Sequence, residues 1–141
     1  MGGGRIEIGY SEHGEEKKGL SSELLDNGFW DAFGDLLDEA LLLHYPNLHE
    51  SIKTEEGYYM DFFTFRELSK EDFNLAVRLI REHVASMTPN SWPPRKYVTD
   101  MARWQERARR VWKEIAEPLV VLDRRYDENL ARISPNTTKD T

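Results

Sequence analysis

The sequence predicts an α+β fold, in which three long amphipathic helices pack on a small sheet within one domain spanning residues 1–141. Apolar residues recur at helical spacing in three separate segments. Two shorter segments are instead alternating or rich in aromatic residues, which is typical of strands. A chain of 141 residues has the size of one domain, and a hydrophobic content of 39% suffices for a core.

Two strands are expected, at residues 5–10 and 58–65. In the first, three apolar residues alternate with Arg5 and Glu7, so that one face of the strand is apolar. The second is a run of aromatic residues, a composition that favours a pleated and mostly covered surface. A third strand near residues 48–53 is an open alternative.

The first two helices are expected at residues 22–44 and 70–87. Ser21 or Ser22 is a suitable N-cap for the first helix, and Pro46 is expected to stop it. In the second helix, a segment that begins at Ser69 and resembles a capping box precedes a long apolar stripe.

The third helix is expected at residues 99–117, with Thr99 as its cap. Pro118 either kinks this helix or starts a new one, and residues 119–130 again have a helical pattern. Residues 134–141 are expected to be a frayed tail.

The proline-rich residues 88–94 are interpreted as a stiff linker within the domain. They separate a β-α-β-α portion, residues 5–87, from a helical C-terminal portion, residues 95–133. The basic residues are concentrated in this C-terminal portion, whereas the acidic residues predominate before it.

Composition excludes several classes of protein. The net charge of −7 argues against a general nucleic-acid binder and favours a basic partner. The absence of cysteine excludes disulfides and thiolate chemistry. No apolar run has the length of a membrane span or the features of a secretory signal, so we expect a cytoplasmic protein.

No catalytic or cofactor-binding motif is present in the sequence. His44 and His49 flank Pro46 and precede Glu50, but this spacing does not bring three metal ligands together on one helix face. We therefore predict neither enzymatic activity nor a bound metal or cofactor.

Four carboxylates share one face of the first predicted helix: Asp31, Asp35, Asp38 and Glu39. They repel one another at this spacing, and no lysine or arginine occurs between residues 19 and 52 to relieve the repulsion. Leu42 projects into the same face, where burial is not expected. We interpret these five residues, called the acidic face below, as a partner-binding surface that is dispensable for stability. An ordinary solvated helix face is the alternative.

Three arginines, Arg103, Arg107 and Arg110, form a stripe along the polar side of the third predicted helix. Such a stripe can follow phosphates, so a nucleic-acid-associated regulator is a second functional hypothesis. Alternatively, the arginines are solvated charges with partners four residues away, such as Glu114 for Arg110, or they pair with the acidic helix within the fold. A structural subunit of a homo-oligomer is a third hypothesis.

The segment Asn-Gly-Phe-Trp-Asp-Ala-Phe-Gly-Asp, residues 27–35, places acids and aromatics on a helix between two strands. The strand, helix, strand, helix order of residues 5–87 resembles barstar-type ribonuclease inhibitors. Size and acidity also resemble the immunity proteins of bacterial contact-dependent and polymorphic toxin systems. The resemblance implies a basic toxin domain, often a nuclease, whose active site is blocked. The chain departs from the family by lacking a clear closing strand and by adding the basic helical portion.

Overall fold

The computed structural model describes residues 3–10 and 20–133 and has the predicted α+β architecture. Its sheet contains β1 (Gly4–Tyr10), β2 (Leu20–Leu25) and β3 (Phe62–Thr64), in the spatial order β2-β1-β3. The central strand β1 is antiparallel to β2 and parallel to β3. The predicted C-terminal tail lies outside the described residues.

Helices make up most of the rest of the described chain: α1 (Asn27–Leu37), α2 (Pro46–Ile52), α3 (Glu55–Met60), α4 (Lys70–Ser86), α5 (Met101–Arg110), α6 (Glu117–Val120) and α7 (Glu128–Ala131). Two π-helical turns, Asp38–Leu42 and Val111–Ala116, continue α1 and α5 respectively. None of the helices within the described ranges has both the length and the apolar character needed to cross a membrane.

The core is continuous through both halves of the chain. Ile6 and Ile8 of β1 are fully buried while Arg5 is exposed, as the alternation predicts. Phe33 of α1 stacks against Trp112 of the C-terminal portion, with ring centroids 6.4 Å apart. Because α1 packs directly on α5, the two portions fold around one hydrophobic centre.

Residues 88–94 lie between α4 and α5, as expected for a connecting segment, and of these seven residues only Trp92 is buried. Trp92 is only 4% exposed, and its indole Nε1 donates to His83 Nε2 at 2.9 Å. Its backbone N–H donates to Gln105 Oε1 at 2.9 Å, and Gln105 Nε2 donates to the carbonyl of Thr88. The tryptophan anchors the segment because burying its large apolar side chain is favourable.

The first predicted helix begins five residues later than expected. Residues 20–25 form β2, which pairs with β1, and Asp26 caps α1 by accepting from the Phe29 N–H at 3.1 Å. The predicted caps Ser21 and Ser22 are therefore strand residues, because pairing with β1 determines the conformation there.

The alternative of a strand near residues 48–53 is also wrong, because this segment belongs to α2. Pro46 begins α2 at a position where no backbone N–H is needed.

Only part of the strand expected at residues 58–65 is extended. Thr54 caps α3 by accepting from the Gly57 N–H at 2.9 Å, and α3 includes the first residues of the expected strand. Asp61 then adopts a left-handed conformation, with φ of 57°, and ends the helix. The extended part is limited to β3 because the threonine cap and the acids that follow it favour a helical turn.

The second predicted helix is confirmed as α4, with Ser69 as its cap. The third begins after Asp100 rather than Thr99, and Pro118 lies in the first turn of α6, which follows the π-helical turn without a break. Residues 119–130 do not form one helix. Asp123 interrupts them because its carboxylate accepts from the Arg125 N–H at 2.9 Å and closes a local turn.

Arg125 fastens the C-terminal portion to the sheet. Its guanidinium donates to the carbonyl oxygens of Ile8, Phe65 and Leu68 at 2.8–2.9 Å. The same group is bonded to the buried carboxylate of Asp123 and lies 4.1 Å from the ring centroid of Phe73. Because the residues that carry these acceptors are buried, this cluster of bonds rigidifies the contact between the sheet and the chain's last third.

Candidate functional site

The carboxylate of Asp35 on α1 is buried, with 7% exposure, and is surrounded by donors. Trp104 Nε1 donates to Asp35 Oδ2 at 2.8 Å, and the Tyr97 hydroxyl donates to the same oxygen at 2.8 Å. Arg95 Nε lies 3.2 Å from this oxygen. Burial and the bond to Asp35 raise the pKa of Tyr97 to about 12. Asp35 therefore organises the loop before α5.

Asp38 and Glu39 are also paired within the fold. Asp38 Oδ1 is 2.6 Å from His49 Nε2 and 2.8 Å from Lys53 Nζ. Burial disfavours the charged form of Asp38, but the bonds from His49 and Lys53 outweigh it and hold its pKa below the ordinary value. Glu39 receives a hydrogen bond from Arg95 at 2.9 Å.

The expectation that the acidic face is a row of unrelieved charges is therefore wrong. Its compensating cations come from Lys53 and Arg95, which lie beyond the segment that contains no basic residue. Leu42 is 48% exposed, as expected. Asp31 is exposed and forms no ion pair within the part of the chain that the structure describes. Of the five residues, Asp31 and Leu42 thus remain accessible to a partner without breaking an internal pair.

A cavity of about 500 Å³ opens beside α1, between that helix and the segment leading into β3. Five of its wall residues are aromatic: Trp30, Tyr58, Phe62, Phe63 and Tyr97. The others are Asp31, Gly34, Asp35, His49, Lys53 and Thr54. Its volume is in the range of ordinary ligand pockets, and its few polar groups stand among apolar walls.

The cavity has a buried floor and an exposed mouth. Phe63 is 6% exposed and stacks on Trp30, with centroids 4.3 Å apart and planes at 5°. Tyr58 and Tyr97, by contrast, are 77% and 63% exposed. Gly34 lets the Phe63 ring approach α1, because a Cβ there would lie 2.8 Å from Phe63 Cζ.

Lys53, at the floor, is paired with an acid of the fold, whereas Asp31, at the mouth, forms no ion pair with the described residues. Lys53 Nζ lies 5.6 Å from the centroid of Phe63 and is bonded to Asp38. At the mouth, partial burial and then the charges of Asp35 and Asp61 raise the pKa of Asp31, while Lys53 opposes them. The potential at the mouth is therefore negative.

His49 and Asp38 resemble the base and orienting acid of a hydrolytic centre, but the arrangement lacks a nucleophile. Of the three hydroxyl-bearing wall residues, Thr54 accepts from the Gly57 N–H as a helix cap, Tyr97 donates to Asp35, and Tyr58 is exposed. No hydroxyl donates to His49 among the hydrogen bonds of the described residues. In the described ranges, no group of three potential metal ligands converges.

Two of the three arginines in the stripe make contacts within the fold, one with α1 and one along the helical segment that contains the stripe. Arg107 lies 5.6 Å from the Phe29 ring centroid and 5.9 Å from that of Trp104. Arg110 pairs with Glu114 at 3.4 Å, as the alternative interpretation expected. Arg103 is exposed.

Comparisons with protein-family models, with curated proteins and with solved structures find no match to this chain. The likeness to barstar-type inhibitors and to immunity proteins thus stays a prediction. Sequence reasoning missed the cavity because its walls come from α1, α2, α3, β3 and the loop around Tyr97. One signal was available in the sequence, namely the adjacent tyrosines at residues 58 and 59. The structure leaves both exposed, which does not fit the covered strand that the sequence predicts.

Proposed function

We propose that this protein is a protein-binding inhibitor of the immunity class, which neutralises a basic bacterial toxin domain by covering its active site. The observation that carries the proposal is the cavity mouth, where the exposed rings of Tyr58 and Tyr97 accompany the carboxylate of Asp31, which forms no ion pair with residues 3–10 or 20–133. Exposed tyrosine beside uncompensated charge is typical of binding surfaces, in which aromatic side chains anchor and charges steer.

The acidity of the whole chain supports a basic partner. With a net charge of −7, the protein attracts cationic surfaces over several ångströms and repels nucleic acid. The apolar side chains of Tyr59 and Met60 are 71% and 67% exposed on α3, next in sequence to Tyr58. They add contact area beside the mouth, so the proposed surface combines a charged group with an apolar one.

The test first asks whether a neighbouring gene encodes a secreted toxin, as an immunity function requires, and then uses that toxin domain. Co-expression of this protein should restore growth of cells that make the toxin, and the purified proteins should form a stable complex. Tyr58→Ala should weaken that complex by about thirtyfold, as for a central aromatic anchor. Asp31→Asn should mainly slow association and flatten its dependence on salt.

Glu67→Gln is the matched control, because Glu67 is an exposed acid that does not line the cavity. A neighbouring gene that encodes no toxin would contradict the proposal. So would a toxin that binds Tyr58→Ala and Asp31→Asn as tightly as the parent protein.

The nucleic-acid hypothesis stays a prediction with its own measurement. A gel shift with mixed DNA and RNA that weakens steeply as salt rises, and that is lost in Arg103→Ala, would favour it over toxin inhibition. Light scattering at several concentrations tests the homo-oligomer hypothesis.

A further inference from the structure

We propose that the cavity beside α1 receives a guanidinium group, carried by an arginine side chain of the partner protein. The identity of the partner rests on the proposed function, but the chemistry of the cavity is argued independently of it. The site joins an aromatic-walled cavity to a single carboxylate that the fold leaves without a cation.

The charges around the cavity leave one place for a cation. Arg95 contacts both Asp35 and Glu39, and Lys53 contacts Asp38, so those three carboxylates are compensated internally. The carboxylate of Asp31 stands one helical turn from Asp35 on the mouth side. The charges of Asp35 and Asp61 add to the negative potential at Asp31. Lys53, which is bonded to Asp38, opposes them more weakly than either of them acts, so a bound cation would relieve the remaining repulsion.

Other ligand classes fit less well. An anion would have to compete for Lys53, whose Nζ is already bonded to Asp38 and lies 3.4 Å from the Gly34 carbonyl oxygen. A wholly apolar ligand would cover Asp31 without replacing its water, which is unfavourable for a charged group. The net negative potential at the mouth therefore selects a cationic ligand.

The walls favour guanidinium over ammonium. A planar guanidinium stacks on aromatic faces and donates two parallel hydrogen bonds to one carboxylate, whereas an ammonium is a compact and strongly hydrated point charge. Tyr58 and Tyr97 line the same cavity as Asp31 and are exposed, so their rings are accessible to such a group. The chain uses the same pairing internally, with the Arg125 guanidinium 4.1 Å from Phe73 and bonded to Asp123.

The experiment titrates the protein with N-acetyl-arginine amide and, separately, with N-acetyl-citrulline amide, which has nearly the same shape but no charge. The signal is the NMR resonance of the Trp30 indole N–H, because Trp30 lines the cavity. The arginine probe should bind saturably with a dissociation constant on the order of 1 mM, as suits a ligand of this size. Citrulline amide should produce little or no shift at the same concentrations.

Variants connect the binding to the named residues. Asp31→Asn and Tyr58→Ala should each weaken the arginine probe by about tenfold or more, whereas Glu67→Gln should leave its affinity unchanged. Both substituted residues are exposed, so thermal melting should confirm that the variants are folded. Equal shifts from the arginine and citrulline probes, or binding that survives Asp31→Asn, would overturn the inference.

The two proposals fail in different ways. If the arginine probe binds but no toxin is neutralised, the cavity chemistry stands and the proposed function fails. If a toxin binds tightly but the arginine probe gives no shift in Trp30, the protein is an inhibitor and the guanidinium site is refuted.

Discussion

Replacing Asp35 with alanine should destabilise the fold, although the sequence pattern places this residue on a solvated face. The substitution removes the acceptor for the Trp104 indole and the Tyr97 hydroxyl and takes one of two carboxylates from Arg95. A buried donor left without a partner costs about 1–3 kcal/mol, and breaking a buried ion pair costs about 3–5 kcal/mol.

Two features reduce that sum. Tyr97 is 63% exposed, so water replaces the lost bond of its hydroxyl, and Arg95 keeps its bond to Glu39. The expected loss is therefore about 2–4 kcal/mol, most of it from the indole and the weakened ion pair. For a chain of this size, that corresponds to a fall in melting temperature of roughly 6–12 °C.

The assay is thermal unfolding followed by circular dichroism, with urea unfolding as a check on the free energy. Asp31→Asn is the control, because it changes an exposed and unpaired acid one turn earlier on the same helix. It should alter stability by no more than about 0.5 kcal/mol. If Asp35→Ala melts within a degree of the parent protein, the bonds to Asp35 do not hold the loop before α5.

Three further predictions concern other parts of the fold. Gly34→Ala should lower the free energy of unfolding by about 1–3 kcal/mol, because the added Cβ meets the Phe63 ring. In Gly28→Ala the added Cβ meets only the flexible end of Arg107, so this variant should be as stable as the parent protein or more stable. Urea unfolding measures both. Burial lowers the pKa of His83, so the unfolded state, with a pKa of 6.5, binds a proton more readily. The His83 contribution to stability is therefore complete above pH 6.5 and is lost as the pH falls towards the folded-state pKa, and His83→Gln should flatten this part of the curve of melting temperature against pH. Arg125→Lys should lose about 2–4 kcal/mol in urea unfolding, because an ammonium cannot serve the three carbonyl oxygens that the guanidinium reaches.

Each of these has a result that would contradict it. Equal stability changes at the two glycines would show that the Phe63 ring moves aside freely. A parent protein and His83→Gln that lose stability in parallel as the pH falls from about 7.5 to about 5.5 would assign the decline to other groups. A lysine variant as stable as the parent protein would mean that water satisfies the carbonyl groups around Arg125.

The elements that could be predicted from sequence are those whose determinants are local. The helix α4 follows from its cap Ser69 and an apolar stripe within one segment, and β1 follows from the alternation around Ile6 and Ile8. By contrast, the sequence of β2 resembles the capped start of a helix, and it is the pairing with β1 that determines its extended conformation. Tertiary pairing of this kind cannot be read from a short window of sequence.

The candidate site was only partly predictable for the same reason. The four carboxylates were correctly placed on one helix, but the bond between Arg95 and Glu39 joins residues 56 positions apart. Charge compensation at that separation depends on how the loop before α5 folds back. The exposed Leu42 followed from helical geometry alone, whereas the cavity required the positions of several elements at once.

The bonds of Arg125 also bear on how the chain acquires its fold during synthesis. The bond to the Ile8 carbonyl closes a loop of 117 residues, and the bonds to Phe65 and Leu68 close loops of 60 and 57 residues. Closing so long a loop lowers the entropy of the chain before the stabilising contacts form. Folding is therefore slower than in a helical bundle whose contacts join residues close in sequence. A nascent chain must extend past Arg125 before β1 obtains these bonds, so the earlier segments emerge from the ribosome without their final constraint and depend on local helices such as α4 to stay compact.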